Sequence, residues 1–232
     1  MPYDAHENVL RRDLSIAAAK PIIEIASLLL QEVVNFSTFA YIRCMNPSRA
    51  YEKSKEENLN LAAFSLFWQM MELVDGIEVL ISHSVPSACT PLLRSMFEVF
   101  LSMEYILEDK STYRERSFAW IINHATARKA IYESLLPETA SGKDFSLAIE
   151  ADKTINQLSI SPPPEKIKRA IENLENFLDR EQFSETIDAY KKAGNRAKWY
   201  SLTNGPKNLR KLAQHLNRNA TYDFLYRAES DI

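Results

Sequence analysis

Residues 57–84 read ENLNLAAFSLFWQMMELVDGIEVLISHS, and nine of the eleven residues from Leu61 to Met71 are apolar. A helix that apolar hides most of its circumference, yet the run is shorter than the roughly 20 residues a bilayer crossing needs. Ser65, Gln69, Glu72, Asp75, Glu78, Ser82 and His83 recur every three or four positions, which places them on one stripe of a helix. The stretch therefore predicts a central, mostly buried helix with one polar edge, and an all-α protein built around it.

Downstream, Pro86 and Pro91 punctuate the entry to a helix over about 88–108, with Leu93, Met96, Phe97, Phe100 and Leu101 at helical period. Arg94 and Glu98 interrupt that apolar pattern one turn apart. Another helix is expected over 112–136, with Phe118, Ile121, Ile122 and Ala125 on one face. LPETASGKD then reads as a loop before a helix over 144–158, and the three prolines of SISPPPEK demand an extended connector. Helices over 164–178 and 181–192 follow, then the irregular AGNRAKWYSLTNGP. Pro206 opens a short amphipathic helix with Leu209, Leu212, Ala213 and Leu216 inward, and a last helix starts near Asn219 or Thr221. Upstream, a helix over 12–43, entered afresh at Pro21, ends at MNPSR.

Composition agrees. Four glycines in 232 residues are too few for a turn-rich β protein, and 46% apolar residues are too many for disorder. We expect one helical domain over 1–232, a bundle of seven or eight helices with its core at 57–232 and a peripheral helix at 12–43. Cys44 and Cys89 form no CxxC pair, which points to a reducing compartment. Glu24, Gln31 and Glu32 break the apolar run at 22–34, so neither a signal peptide nor a membrane span is expected, and the chain reads as cytoplasmic.

Charge is unevenly spread. Residues 189–222 hold Lys191, Lys192, Arg196, Lys198, Lys207, Arg210, Lys211 and Arg218 and no acid, so this segment is +8 while the net charge is −3 and the rest is −11. Such a segment can bind phosphates or an acidic partner, or dock on the acidic remainder of its own chain. Trp199 and Tyr200, inside it, are expected to anchor the irregular stretch in the core.

The stripe Glu72, Asp75, Glu78, His83 invites a metal reading, but no histidine follows a glutamate at the three-residue spacing of di-iron bundles. No metal and no cofactor is expected. His124 and Arg128 share a helix face and read as a surface pair. Arg94 and Glu98 read first as a structural pair, largely buried and hydrogen-bonded; because Arg four before Glu is the weaker order for a helical ion pair, the alternative is that each engages another helix or a ligand. Gly-rich phosphate loops, GxSxG and His/Cys metal spacings are absent from the sequence. RKLAQH, Arg210 to His215, fits the Arg-x(4–6)-His signature of HEPN-type ribonucleases, although about 0.7 such matches are expected by chance at this composition. A spacing of five also turns the two side chains about 140° apart.

RSMFEVFLSMEYIL (94–107), KWY (198–200), NLRKLAQHL and YDFLYRAESDI together resemble a widespread bacterial helical family of unknown function near the HEPN group, over about 60–232. In that family the helix of Arg94 and Glu98 carries the same Arg and Glu, and the last helix reads Tyr, Tyr, Ser and then a histidine four residues on. Tyr222, Tyr226 and Ser230 match; the histidine would fall two positions beyond Ile232. The resemblance implies an RNA-directed or defence-associated domain, with Arg227, Tyr226 and Ser230 at its catalytic end and Lys198, Lys207, Arg210 and Lys211 on RNA. Metal-independent cleavage would need that histidine, so the chain ending at residue 232 is expected to be inactive. The rival reading is a non-enzymatic interaction module for an acidic protein partner. Neither involves a membrane, and a homodimer stays open.

Overall fold

The computed structural model describes residues 20–45, 60–83, 85–152, 163–194, 197–202 and 204–227. Among them are nine α-helices and three short 3-10 turns, with no strand, so the all-α expectation holds. The helices are α1 (Lys20–Met45), α2 (Leu61–Ser82), α3 (Cys89–Leu107), α4 (Tyr113–Ser134), α5 (Ala140–Ala151), α6 (Pro164–Leu178), α7 (Ser184–Ala193), α8 (Leu209–His215) and α9 (Asn219–Arg227). The chain divides into two compact units, Met1–Arg114 with Pro206–Ile232, and Glu115–Gly205.

In the first unit α2 is the central helix that the sequence predicts. Ala62, Leu66, Met71, Val74 and Ile77 are buried along it, and it packs on α1 and α3. α1 runs antiparallel to α2, because Ser27 meets Glu78 near one end while Tyr41 packs on Phe64 and Trp68 near the other. The polar stripe does not stay together. Glu78 is only 8% exposed and turns onto α1, where the Ser27 hydroxyl (2.5 Å) and the Gln31 amide (2.8 Å) donate to it. These hydrogen bonds hold its carboxyl below the usual range against the opposing effect of burial. Glu72 and Asp75 remain exposed, and the His83 ring turns back onto the Val79 carbonyl (2.8 Å). Among the described residues no group of three or more His, Cys, Asp or Glu is placed to hold a metal ion.

Cys89 is buried, with Sγ 4.0 Å from the Ile77 carbonyl, and burial pushes its thiol up; Cys44 is exposed. α3 buries Phe97, Val99, Leu101, Tyr105 and Ile106, and α8 and α9 pack against it. α8 begins at Leu209 rather than at Pro206, because the Asn208 side chain caps it by accepting from the Lys211 N–H (2.9 Å).

The second unit is built on α4, whose residues 117–122 are all buried. Its aromatic core is Phe183, 0% exposed, edge-on to Phe118 (5.0 Å) and beside Phe177 (5.1 Å). The loop expected at LPETASGKD is a helix from Ala140, and α5 ends at Ala151. The reason is local: Thr139 accepts from the Gly142 N–H (2.9 Å), and Gly142 lies so close to the Leu136 carbonyl that a Cβ there would be 1.8 Å from it. Only glycine fits that close approach, and the Thr139 cap starts the helix there. Trp199 and Tyr200 form a 3-10 turn and are 7% and 9% exposed, as expected of core anchors. The triple-proline connector lies outside the described residues apart from its last two members. α6 starts at Pro164, as predicted.

Candidate functional site

Two of the residues singled out from the sequence, Arg94 and Glu98, lie on one stripe that runs along α3 to its end. Arg94, Glu98, Leu101, Tyr105 and Glu108 follow one another at spacings of four and three, so they lie on one face. Leu101 and Tyr105 form its buried centre, and α8 and α9 cover it. The charged residues at its rim reach across to those helices.

Arg94 donates from Nε to the Leu225 carbonyl (2.8 Å) near the end of α9, and its guanidinium lies 5.5 Å from the centre of the Tyr226 ring. The bond ties α3 to the backbone of α9. Tyr226 donates its hydroxyl to Glu98 (2.6 Å) and stacks on Tyr222, ring centres 4.8 Å apart and nearly parallel at 11°. Burial, followed by the Glu98 carboxylate, pushes the Tyr226 phenol above its ordinary value, so it stays a donor. Arg94 and Glu98 thus clamp α9 rather than each other, as the order of the pair suggests. Burial is where the expectation needs correcting. Arg94 is half-buried and Glu98 is exposed, because both lie at the rim of the α3–α9 contact rather than beneath it.

Further along, His215 meets Glu108 (2.9 Å) and packs edge-on to Tyr105 (5.6 Å). Arg218 holds Glu104 with two hydrogen bonds (3.1 and 2.7 Å) and lies over the Phe100 ring. The turn that aims Arg218 is a helix stop. Asn217 adopts φ +58°, its N–H returns to the Gln214 carbonyl (3.1 Å), and the Arg218 N–H returns to Ala213 (2.7 Å). Part of the basic segment therefore docks on acids of its own chain, one of the three readings open from the charge pattern. Glu104, Glu108 and Tyr222 belong to this face and were not among the expected site residues. The available signal was that Glu108 continues the three-four spacing of Arg94 and Glu98.

A cleft of about 170 Å³ opens beside the tyrosine stack, lined by Arg210, Gln214, Asn219, Tyr222 and Asp223. Arg210 and His215 are not brought together: one lines this cleft, the other engages Glu108. Lys207, Arg210 and Lys211 are exposed in the first unit, whereas Lys198, also exposed, belongs to the second. Ser230 and the Arg227 side chain lie outside the described residues. In the second unit His124 stacks on Trp120 (4.0 Å) while Arg128 turns to Tyr132, so that pair also separates. A larger cleft of about 590 Å³ there is lined mainly by apolar side chains, among them Ile122, Leu178 and Ile187, with the Tyr190 ring beside them.

No curated protein and no solved structure matches the chain. One family model does, over residues 60–232, the extent that the resemblance in its helices suggests. That span starts at α2, holds the whole α3–α8–α9 face and covers well over half of the chain, which therefore belongs to the family of unknown function DUF5677.

Proposed function

We propose that the chain is an RNA-directed, HEPN-like domain, and that its contact surface is the edge of the first unit where α8 and α9 meet. The observation that carries this reading is the stacked Tyr222–Tyr226 pair with Arg94 against one ring and the Arg210 cleft beside the other. Aromatic faces bind bases of any sequence, and neighbouring guanidinium groups supply the phosphate attraction that single-strand binders depend on. Asn219 and Gln214 add amides able to pair with a base edge. An acidic protein partner would use the exposed Lys207, Arg210 and Lys211 equally well but would have no use for the aromatic pair.

Cleavage is a separate step on this reading. HEPN-type chemistry takes a histidine for proton transfer at the ribose 2′-hydroxyl and an arginine for the developing charge on phosphate. His215 is held by Glu108 while Arg210 lines the cleft, so the Arg210–His215 pair is not assembled for that chemistry and the reading is one of RNA binding.

The test is anisotropy of a labelled single-stranded RNA titrated with the 232-residue chain at several salt concentrations. Affinity is expected to fall linearly in log-log form with salt. Tyr222→Ala should weaken binding by about 1–3 kcal/mol, the usual worth of one stacked base. Arg210→Ala should flatten the slope by about one unit. Metal-free RNA cleavage in EDTA should be absent, since Arg210 and His215 are not brought together. RNA that fails to bind at any salt, with an acidic peptide binding instead, overturns the reading.

A further inference from the structure

α1 lies outside the span the family model matches, and it carries the most exposed apolar surface among the described residues. Its inner face is settled: Ser27 and Gln31 are tied to Glu78, and Tyr41 packs on Phe64 and Trp68. Its outer face is not. Ile25, Leu28, Leu29, Val33, Phe36 and Phe39 leave between 50% (Val33) and 73% (Phe36) of their surface in solvent. Contiguous apolar surface of this size marks a contact.

We propose that this face docks a second copy of the chain, α1 lying antiparallel to its counterpart so that the two outer faces cover each other. Three observations favour this occupant. Eight apolar side chains of α1 are at least half exposed, and at about 100 Å² apiece they offer on the order of 800 Å² per protomer, the amount a standard interface takes from each partner. The pattern is also self-complementary. A two-fold axis crossing α1 between Val33 and Val34 sets Leu28 against Phe39 and Ile25 against Ile42. The same axis sets Glu24 against Arg43 and Glu32 against Asn35, whereas a parallel pairing sets Glu24 against Glu24 and Arg43 against Arg43.

A membrane is the competing occupant, since Lys20–Cys44 is long and apolar enough to cross one. Two features oppose it. Insertion strips Glu78 of both its donors, leaving a carboxylate without its partners. The polar positions of α1 also include Glu24 and Glu32 and only two cations, Lys20 and Arg43, unlike the Lys- and Arg-rich flank of a surface-bound helix.

Light scattering on the full chain after gel filtration should give twice the chain mass. Leu29→Glu with Phe36→Glu should give a monomer with unchanged far-UV circular dichroism. Glu24→Arg alone should raise the dimer Kd about three- to tenfold, as expected for two symmetry-related surface ion pairs, and adding Arg43→Glu should restore it. Both positions are exposed, so this pair of variants decides the matter even if the double glutamate variant does not fold. A monomer at high micromolar concentration overturns the proposal, as does a monomer that floats with phospholipid vesicles. Failure of Arg43→Glu to rescue Glu24→Arg overturns the antiparallel arrangement.

Discussion

Glu78 was one acid in a polar stripe, and its surroundings make it a group that links stability to pH. Two hydrogen bonds favour its charged form in the fold, so its folded pKa lies below the ordinary 4.5. A depressed carboxylate contributes its full stabilisation above that ordinary value and loses it as pH falls through the folded one. Glu78→Gln should therefore cost about 1.5–3 kcal/mol at pH 7, the range for hydrogen bonds to a charged group, and less at pH 3, below the ordinary value. Urea denaturation of both proteins at the two pH values checks this; an equal loss at both would mean the charge contributes nothing. Arg94 and Glu98 teach the complementary lesson. Their helix was legible from spacing, and their order hinted that they need not pair with each other, whereas the element they engage and their exposure were not, because both depend on how α9 packs on α3.

At the scale of elements, periodicity marked the helices and local capping moved their ends. α6 began at the predicted proline, but Thr139 and Asn208 caps placed α5 earlier and α8 later than the Gly and Pro punctuation suggested. Asn217 is the position where an end matters most, since its left-handed backbone turns the chain from α8 into α9 and delivers Arg218 to Glu104. Asn217→Ala should cost about 1–2 kcal/mol, the penalty for a side chain that dislikes that region, while Asn217→Gly should be neutral or slightly stabilising. Thermal melts of the three proteins separate this from a surface effect, for which the two substitutions would behave alike.

For the whole molecule, the second unit's core hangs on one aromatic cluster. Phe183→Ala, at a fully buried site between Phe118 and Phe177, should cost about 3–5 kcal/mol and Phe183→Leu clearly less, measured by chemical denaturation. A loss under 1 kcal/mol for the alanine variant would mean that the cluster collapses without cost.

The order of helices, the absence of strand-forming pattern and the central place of residues 61–82 were determined by sequence alone, because apolar spacing and proline positions act within a few turns of chain. So was the five-residue spacing that keeps Arg210 from His215, which follows from the pitch of a helix. Tertiary structure alone decided which donors each acid receives. Glu78 takes Ser27 and Gln31 from 51 and 47 residues away, and Arg218 reaches Glu104 across 114. Charged side chains are long and their attraction is not tied to sequence distance, so composition gives the sum of the charges while only packing chooses the pairs. The outer face of α1 follows the same division: its hydropathy was readable, but that it lies uncovered once α2 has taken the other side is a property of the fold.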